Sequence, residues 1–350
     1  MDEPRTRNTG APTILLVGVF LILFTAALRL AAALLFPIAV AFLLMLLLDP
    51  PVRALRRLGL PTVVGAGLMV FGTLALTVAG GVMLAGPAAD WIETTPAKLV
   101  QVQTKIRKVL RPIQETARKV DQATQTSTQT IPPTVQIKSP GLLQRLSVST
   151  ASIVATALTV VFLTYFLLAM LPAFRRKLAN LIGTLAGARN IEETLTEIET
   201  QMSRYLVLNT LTGVGVGLAT WAFLAAVQLP NALLWGAVAF LLNFIPYAGS
   251  LATAALVGAA ALVAFDGTGR AVMVVLGSSA IHLVAGNFVT PHLMGRHLPL
   301  NPVAIFVSLL YWGWVWGPAG TLVAVPITVM LQVIFARVDR LRSIAILLDT

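Results

Sequence analysis

Cysteine is absent from this chain of 350 residues, which excludes disulfides, thiolate nucleophiles and cysteine metal sites outright. Charge is scarce as well: Asp, Glu, Lys and Arg make up only 11% of the residues, whereas 57% are hydrophobic and the mean hydropathy is +0.85. Soluble chains average about one quarter charged residues. So few charges cannot clothe a folded surface of this size, so the outside must face lipid. Catalytic signatures are missing too. There is no His-Glu-x-x-His, no Gly-x-Ser-x-Gly and no Walker sequence, so an enzyme, a bound cofactor and an ATP site are not expected. Carboxylates avoid the apolar stretches, with Asp49 and Asp266 falling at ends or turns. The net charge of +11 reads as membrane topology, since basic residues gather in loops beside spans, and no basic stripe interleaved with aromatics points to nucleic acid.

The expected fold class is an all-α polytopic membrane protein. It should have about eight transmembrane helices, two re-entrant or broken helical segments and a polar extracytoplasmic helical insert. Residues 14–48 carry one charge, Arg29, and as one helix would measure roughly 50 Å against a hydrocarbon core of about 30 Å. Two helices turning near Arg29 fit better, with its guanidinium snorkelling to the interface. Pro37 should kink the second helix, and Asp49-Pro-Pro should stop it. The third span runs over about 61–86, and residues 1–87 form a three-span segment. At residue 88 the composition turns polar, and Leu99, Val102, Ile106, Val109 and Ile113 recur three or four apart as an amphipathic helix. This insert, 88–147, ends in a Gln/Thr-rich loop. A fourth span, 148–171, precedes a cytoplasmic segment, 172–205, that carries an amphipathic helix. Residues 206–338 form the expected transport core, and 339–350 a cytoplasmic tail.

Within that core, spans are expected near 206–228, 249–265, 271–290 and 317–336. The apolar segments 231–247 and 301–316 are short and bounded by Pro or Gly, a pattern typical of re-entrant chain. If both cross fully, the total is ten crossings and the loop at Gly267–Arg270 lies outside. A weak repeat links them: residues 231–251 lie on 302–322, matching Ala248-Gly-Ser-Leu251 with Ala319-Gly-Thr-Leu322. Paired Pro/Gly-interrupted apolar segments of this kind point to a transporter site. Gly213-Val-Gly-Val-Gly217 has no preceding strand, so it reads as close helix packing and not as a phosphate cradle.

The run Asn287-Phe-Val-Thr-Pro-His-Leu-Met-Gly-Arg-His-Leu-Pro-Leu-Asn-Pro302, followed by Leu309-Leu-Tyr-Trp-Gly-Trp-Val-Trp-Gly317 and Ala324-Val-Pro326, resembles the signature of the autoinducer-2 exporter family of bacterial membrane permeases. Phe244-Ile-Pro-Tyr-Ala-Gly249 is similar to an earlier motif of the same family. The resemblance implies a multi-pass exporter of the bacterial cytoplasmic (inner) membrane, working as a homo-oligomer, with a pentamer as one form. Some family members are linked to the furanone autoinducer-2 and others to sodium–proton antiport, so the resemblance does not define a solute.

Candidate translocation residues lie beside the interrupted backbone: Asn209, Asn243, Pro246, Gly249, Asn287, Thr290, Pro291, Gly295, Arg296, Asn301 and Pro302. Neutral amides and freed carbonyls suit the hydroxyls of a small polar solute. The same amides serve equally well as helix caps or interhelical glue. Arg296 is either a buried cation or an ordinary interfacial one. His282 is lone and mid-span, and His292 and His297 lack the partners of a metal site. The expected function is export of a small polar molecule such as an autoinducer-2-like signal, with the bilayer and further copies of the chain as the other partners. A sodium–proton antiporter and a non-transporting membrane scaffold are the alternatives. The lack of carboxylates in the spans counts against the antiporter.

Overall fold

The computed structural model describes residues 10–123, 150–181, 185–294 and 301–337. Every regular element among them is helical. The helices are α1 (Gly10–Leu30), α2 (Ala32–Arg57), α3 (Thr62–Ala123), α4 (Thr150–Leu181), α5 (Leu185–Ala226), α6 (Ala232–Leu242), α7 (Ala248–Ala264) and α8 (Thr268–Val284). A π-helical turn (Ala285–Val289) leads into α9 (Thr290–Met294), and α10 (Pro302–Arg337) closes the described chain. Five of these helices contain apolar stretches long enough to cross a bilayer: Ala32–Arg57, Thr62–Glu93, Leu195–Ala226, Thr268–Leu293 and Pro302–Ala336. Large apolar side chains lie exposed on two of them and on the shorter apolar helix α1: Phe20 and Leu23 of α1, Leu76 and Val82 of α3 and Leu310 of α10 are all more than half exposed. That is the surface lipid requires.

The length of the first apolar run does force a break, and the backbone changes direction at Ala31, beside Arg29. The expected stop at Asp49-Pro-Pro is absent. α2 runs through Pro37, Pro50 and Pro51 to Arg57. Proline forfeits an N–H, but its φ is helical, and Asp49 pairs with Arg53 one turn on, across the two prolines. The stop comes instead at Gly59, whose φ of +94° suits glycine. There Leu60 N–H donates to Leu55 O (3.2 Å) and Gly59 N–H to Arg56 O (3.1 Å), a Schellman closure.

Two expected boundaries vanish in the same way. α3 continues as one helix of 62 residues from the third span into the polar insert, and α5 joins the amphipathic stretch before residue 206 to the span after it. The composition shift at residue 88 changes the solvent around the helix. The backbone hydrogen bonds are internal to the helix and do not register that change. The part of the insert from 124 to 149 and the tail from 338 onward lie outside the described residues.

The chain divides into two compact units. The first takes Met1–Val70, Thr159–Val207 and Leu298–Thr350. In it, Thr164 Oγ1 of α4 donates to Val160 O (2.7 Å) and lies 3.3 Å from Ala41 O of α2, joining those helices. α1 is held to α10 by polar contacts: Trp316 Nε1 donates to Leu28 O (3.2 Å), and the hydroxyls of Thr25 and Tyr311 lie 3.1 Å apart. Arg29, expected to reach only for the interface, has its guanidinium 5.0 Å from the ring centre of Trp314, a cation–π contact.

The second unit takes Phe71–Leu158 and Leu208–His297. Its core gathers Leu224, Trp235, Val257, Ala261, Phe265 and Val274 from α5, α6, α7, the turn after α7, and α8. The start of α6 is tied to α3, because Asn231 Nδ2 donates to Pro87 O (3.3 Å) and Trp91 meets Trp235 edge-on with ring centres 5.2 Å apart.

Candidate functional site

The sequence repeat becomes a pair of helical hairpins, one in each unit. In the second unit α6 turns at 243–247 into α7. Ile245 N–H donates to Leu242 O (2.9 Å), Gly249 N–H donates to Ile245 O (2.8 Å), and Tyr247 takes a φ of +59°. A Cβ on Gly249 would overlap the carbonyl of Leu242, so the two arms can close only on a glycine. In the first unit α10 is itself a hairpin, broken at Gly317 (φ +70°, ψ −159°). Gly320 repeats the role of Gly249: its Cβ would overlap the Trp312 carbonyl. Further down the arms, Ser308 Oγ donates to Ala324 O (3.2 Å) and makes a short hydroxyl contact with Thr328. Thr328 Oγ1 in turn donates to Ala324 O at 2.8 Å.

α6 has 11 residues, about 16 Å of helix, well short of a hydrocarbon core of about 30 Å. The turn at 243–247 therefore sits at the end of an arm too short to cross. α5 packs closely along α6, as its glycine spacing predicts: a Cβ on Gly217 would stand 2.9 Å from Gly236 O. The same packing places Asn243 against α5, its Nδ2 3.2 Å from where a Cβ on Gly213 would stand. Asn209, one turn earlier on α5, is half-buried, as are Asn243 and Pro246.

Asn287 falls inside the π-helical turn. Its Nδ2 donates to Leu283 O (2.9 Å), Thr290 Oγ1 donates to Ala285 O (2.9 Å), and His292 Nδ1 contacts Phe288 O at 2.8 Å. A π turn widens the helix and misaligns its carbonyls, which these side chains then satisfy; such turns are frequent at functional sites. Val216 of α5 clusters with Ala239 of α6 and Ala285, so the Asn243 turn, the Asn209–Gly213 stretch and the π turn belong to one end of the second unit. Pro291 is exposed in the first turn of α9. The π turn and the matching role of Gly320 carried no compositional signal beyond the repeat.

Asn301 and Pro302 open α10 in the first unit. Asn301 Oδ1 accepts from Val303 N–H at 2.9 Å, and Pro302 takes the first helical position, which together form an N-cap. Asn301→Ala should therefore cost about 1 kcal/mol of stability, and Asn301→Asp should restore it, as read by the thermal unfolding midpoint of the purified protein. Gly295 and Arg296, with His297, lie outside the described residues. His282 sits on α8 with its Nε2 buried and without a hydrogen-bond partner. No cluster of His, Asp or Glu able to hold a metal ion occurs among the described residues.

Residues 19–340 match the model of the AI-2E family transporters. TqsA of Escherichia coli, named as an AI-2 transport protein, is 29% identical over 352 residues, covering 100% of this chain and 98% of that one. YhhT of Escherichia coli is 28% identical over 336 residues (95% and 93% covered), and YrrI of Bacillus subtilis is 33% identical over 162 residues (45% and 42% covered). Neither of the last two names specifies a solute. With its all-helical apolar architecture and a family match over nearly its whole length, the chain belongs to the AI-2E transporter family and is a multi-pass membrane permease.

Proposed function

We propose that this permease exports a small neutral polar solute of the autoinducer-2 type across the bacterial cytoplasmic (inner) membrane, as a homo-oligomer and without a cofactor. The observation that carries this reading is the pair of hairpins with glycine-closed tips, the one in the second unit lying beside Asn209, Asn243 and the Asn287 turn. From residue 201 to residue 338 the only acidic residue is Asp266, which lies exposed in the turn between α7 and α8. The side chains of Asn209, Asn243, Asn287 and Thr290 offer donors and acceptors for hydroxyls without a net charge. Pro246 and Gly249 shape the turn at 243–247, and Pro291, Gly295, Arg296 and Pro302 complete the proposed translocation set. Alternating access then works through the two interrupted segments, and the AI-2 named for TqsA is the solute class this reading extends to the chain.

The sodium–proton alternative needs a shared proton and cation ligand, and carboxylates ordinarily supply it. Their scarcity here favours the neutral solute. Binding distinguishes the two. A dihydroxylated furanone should raise the unfolding midpoint of the purified protein, because at a hundredfold excess over its Kd it stabilises the folded state by about 2.7 kcal/mol. Exchanging choline for sodium at constant ionic strength should leave the midpoint unchanged. A shift with sodium and none with the furanone would reverse the ranking.

A further inference from the structure

Serine and threonine hydroxyls within membrane helices ordinarily bond the carbonyl one turn back. Five threonines of this fold do so: Thr77 to Thr73 O (2.8 Å), Thr164 to Val160 O (2.7 Å), Thr200 to Thr196 O (2.7 Å), Thr253 to Gly249 O (2.9 Å) and Thr328 to Ala324 O (2.8 Å). Three hydroxyls of buried residues in the second unit behave differently (the half-buried Thr210 of α5 is a fourth unpaired one). Thr212, Thr220 and Ser278 are 6%, 0% and 0% exposed, and none of their oxygens has a hydrogen-bond partner. His282, one turn on from Ser278, adds its buried, unpaired Nε2.

All four belong to α5 and α8, and those helices pack on each other. Gly277 of α8 lies so close to the Phe223 ring of α5 that a Cβ there would overlap it, and Val216 clusters with Ala285 and Ile281. The register is antiparallel, so Thr220 stands at the level of Ser278 to His282. Thr212 lies two turns along α5 from Thr220, beside Gly213 and hence toward the Asn243 turn. Leu224, Val257 and Val274 of the neighbouring core are equally buried and carry no polar side-chain atom. Unpaired hydroxyls are costlier there than methyl groups. Three unpaired hydroxyls and an imidazole nitrogen on two packed helices call for a hydrogen-bonding occupant, and buried waters characteristically fill that role where several polar groups converge.

We propose that the α5–α8 seam is a hydrated track leading from the Asn243 end into the second unit, taking water and the hydroxyl groups of a neutral solute. Thr212, Thr220, Ser278 and His282 are its lining. Thr212, Thr220 and Ser278 contribute only uncharged hydroxyls, so the track favours uncharged, hydroxyl-bearing ligands over ions. The solute half of the proposal rests on the transport function proposed above; the hydration half does not.

The absence of native cysteine provides a clean test on the full chain reconstituted in lipid. Single variants Thr220→Cys and Ser278→Cys are compared with Val257→Cys and Val274→Cys, the two valines being likewise 0% exposed. Methyl methanethiosulfonate reaches all four positions through lipid, but only a thiolate reacts, and a thiolate needs water. The hydroxyl positions should label at least tenfold faster than the valine positions. Equal rates at all four, fast or slow, would overturn the hydrated track. A dihydroxylated furanone at saturating concentration should slow labelling at Ser278→Cys and leave the valine variants unchanged. A labelling contrast that the furanone does not alter would remove the solute from the track. The contrast is read whether or not the protein moves the furanone, so failure of the track and failure of the transport function give different results.

Discussion

Replacing Gly249 or Gly320 with alanine is expected to reduce solute flux to background and to lower the thermal unfolding midpoint. At each position the new Cβ falls on a backbone carbonyl of the opposite arm, that of Leu242 or Trp312. A side chain can swing aside to relieve overpacking, usually at about 1–3 kcal/mol. Here the obstacle is backbone, so the arms must separate. Separation would undo the turn at 243–247 in one hairpin, and in the other the close approach of Ser308 to Ala324 and Thr328. Alanine at Gly80 or Gly81 is the control, since nothing lies within 4 Å of a Cβ at either position. Those variants should match the wild type or exceed it slightly, because alanine is the better helix former by about 1 kcal/mol. Flux and the unfolding midpoint, measured on all four proteins, check the prediction.

Removing the amides should separate transport from stability. Asn243→Ala together with Asn287→Ala is expected to cut flux at least tenfold while moving the unfolding midpoint by only a few degrees. Asn287 spends its amide on the carbonyl of Leu283, four residues back on an exposed face. A single exposed bond of this kind contributes about 1 kcal/mol or less. Asn243 is half-buried at the hairpin tip beside Gly213, where a shorter side chain fits. If flux survives the double substitution, these amides are helix glue. If the midpoint collapses with it, the loss reports unfolding, and Asn287→Ala alone, on the exposed face, gives the cleaner reading of flux.

Much of this fold was legible from length and composition alone. The 14–48 run was too long for one helix, and it breaks at Ala31. The spacing of Gly213 and Gly217 marked a close helix contact, which α6 supplies at Gly236. The alignment of Ala248-Gly249 with Ala319-Gly320 was more informative than its few identities suggested, because both glycines solve the same steric problem at a hairpin tip. What escaped the sequence has physical reasons. The segment boundaries at residues 88 and 205 are read from polarity, and a helix can run through such a boundary, as α3 and α5 do. Pro50 and Pro51 looked like a stop, but an ion pair spans them, and a glycine two turns later performs the capping. The π turn at Ala285–Val289 is a change in hydrogen-bond register with no residue type of its own. The unpaired state of Thr220 and Ser278 depends on a rotamer and on packing, neither of which periodicity records.

The most direct measurement is flux through the purified protein in sealed liposomes, with two arms. In one, liposomes loaded with a neutral dihydroxylated furanone are diluted and its efflux followed. In the other, a sodium gradient is applied and internal pH followed with a trapped dye. A neutral-solute permease predicts saturable furanone efflux well above protein-free liposomes, lost in the Gly249→Ala protein, with no sodium-driven proton movement. Sodium-driven proton movement without furanone efflux would contradict it.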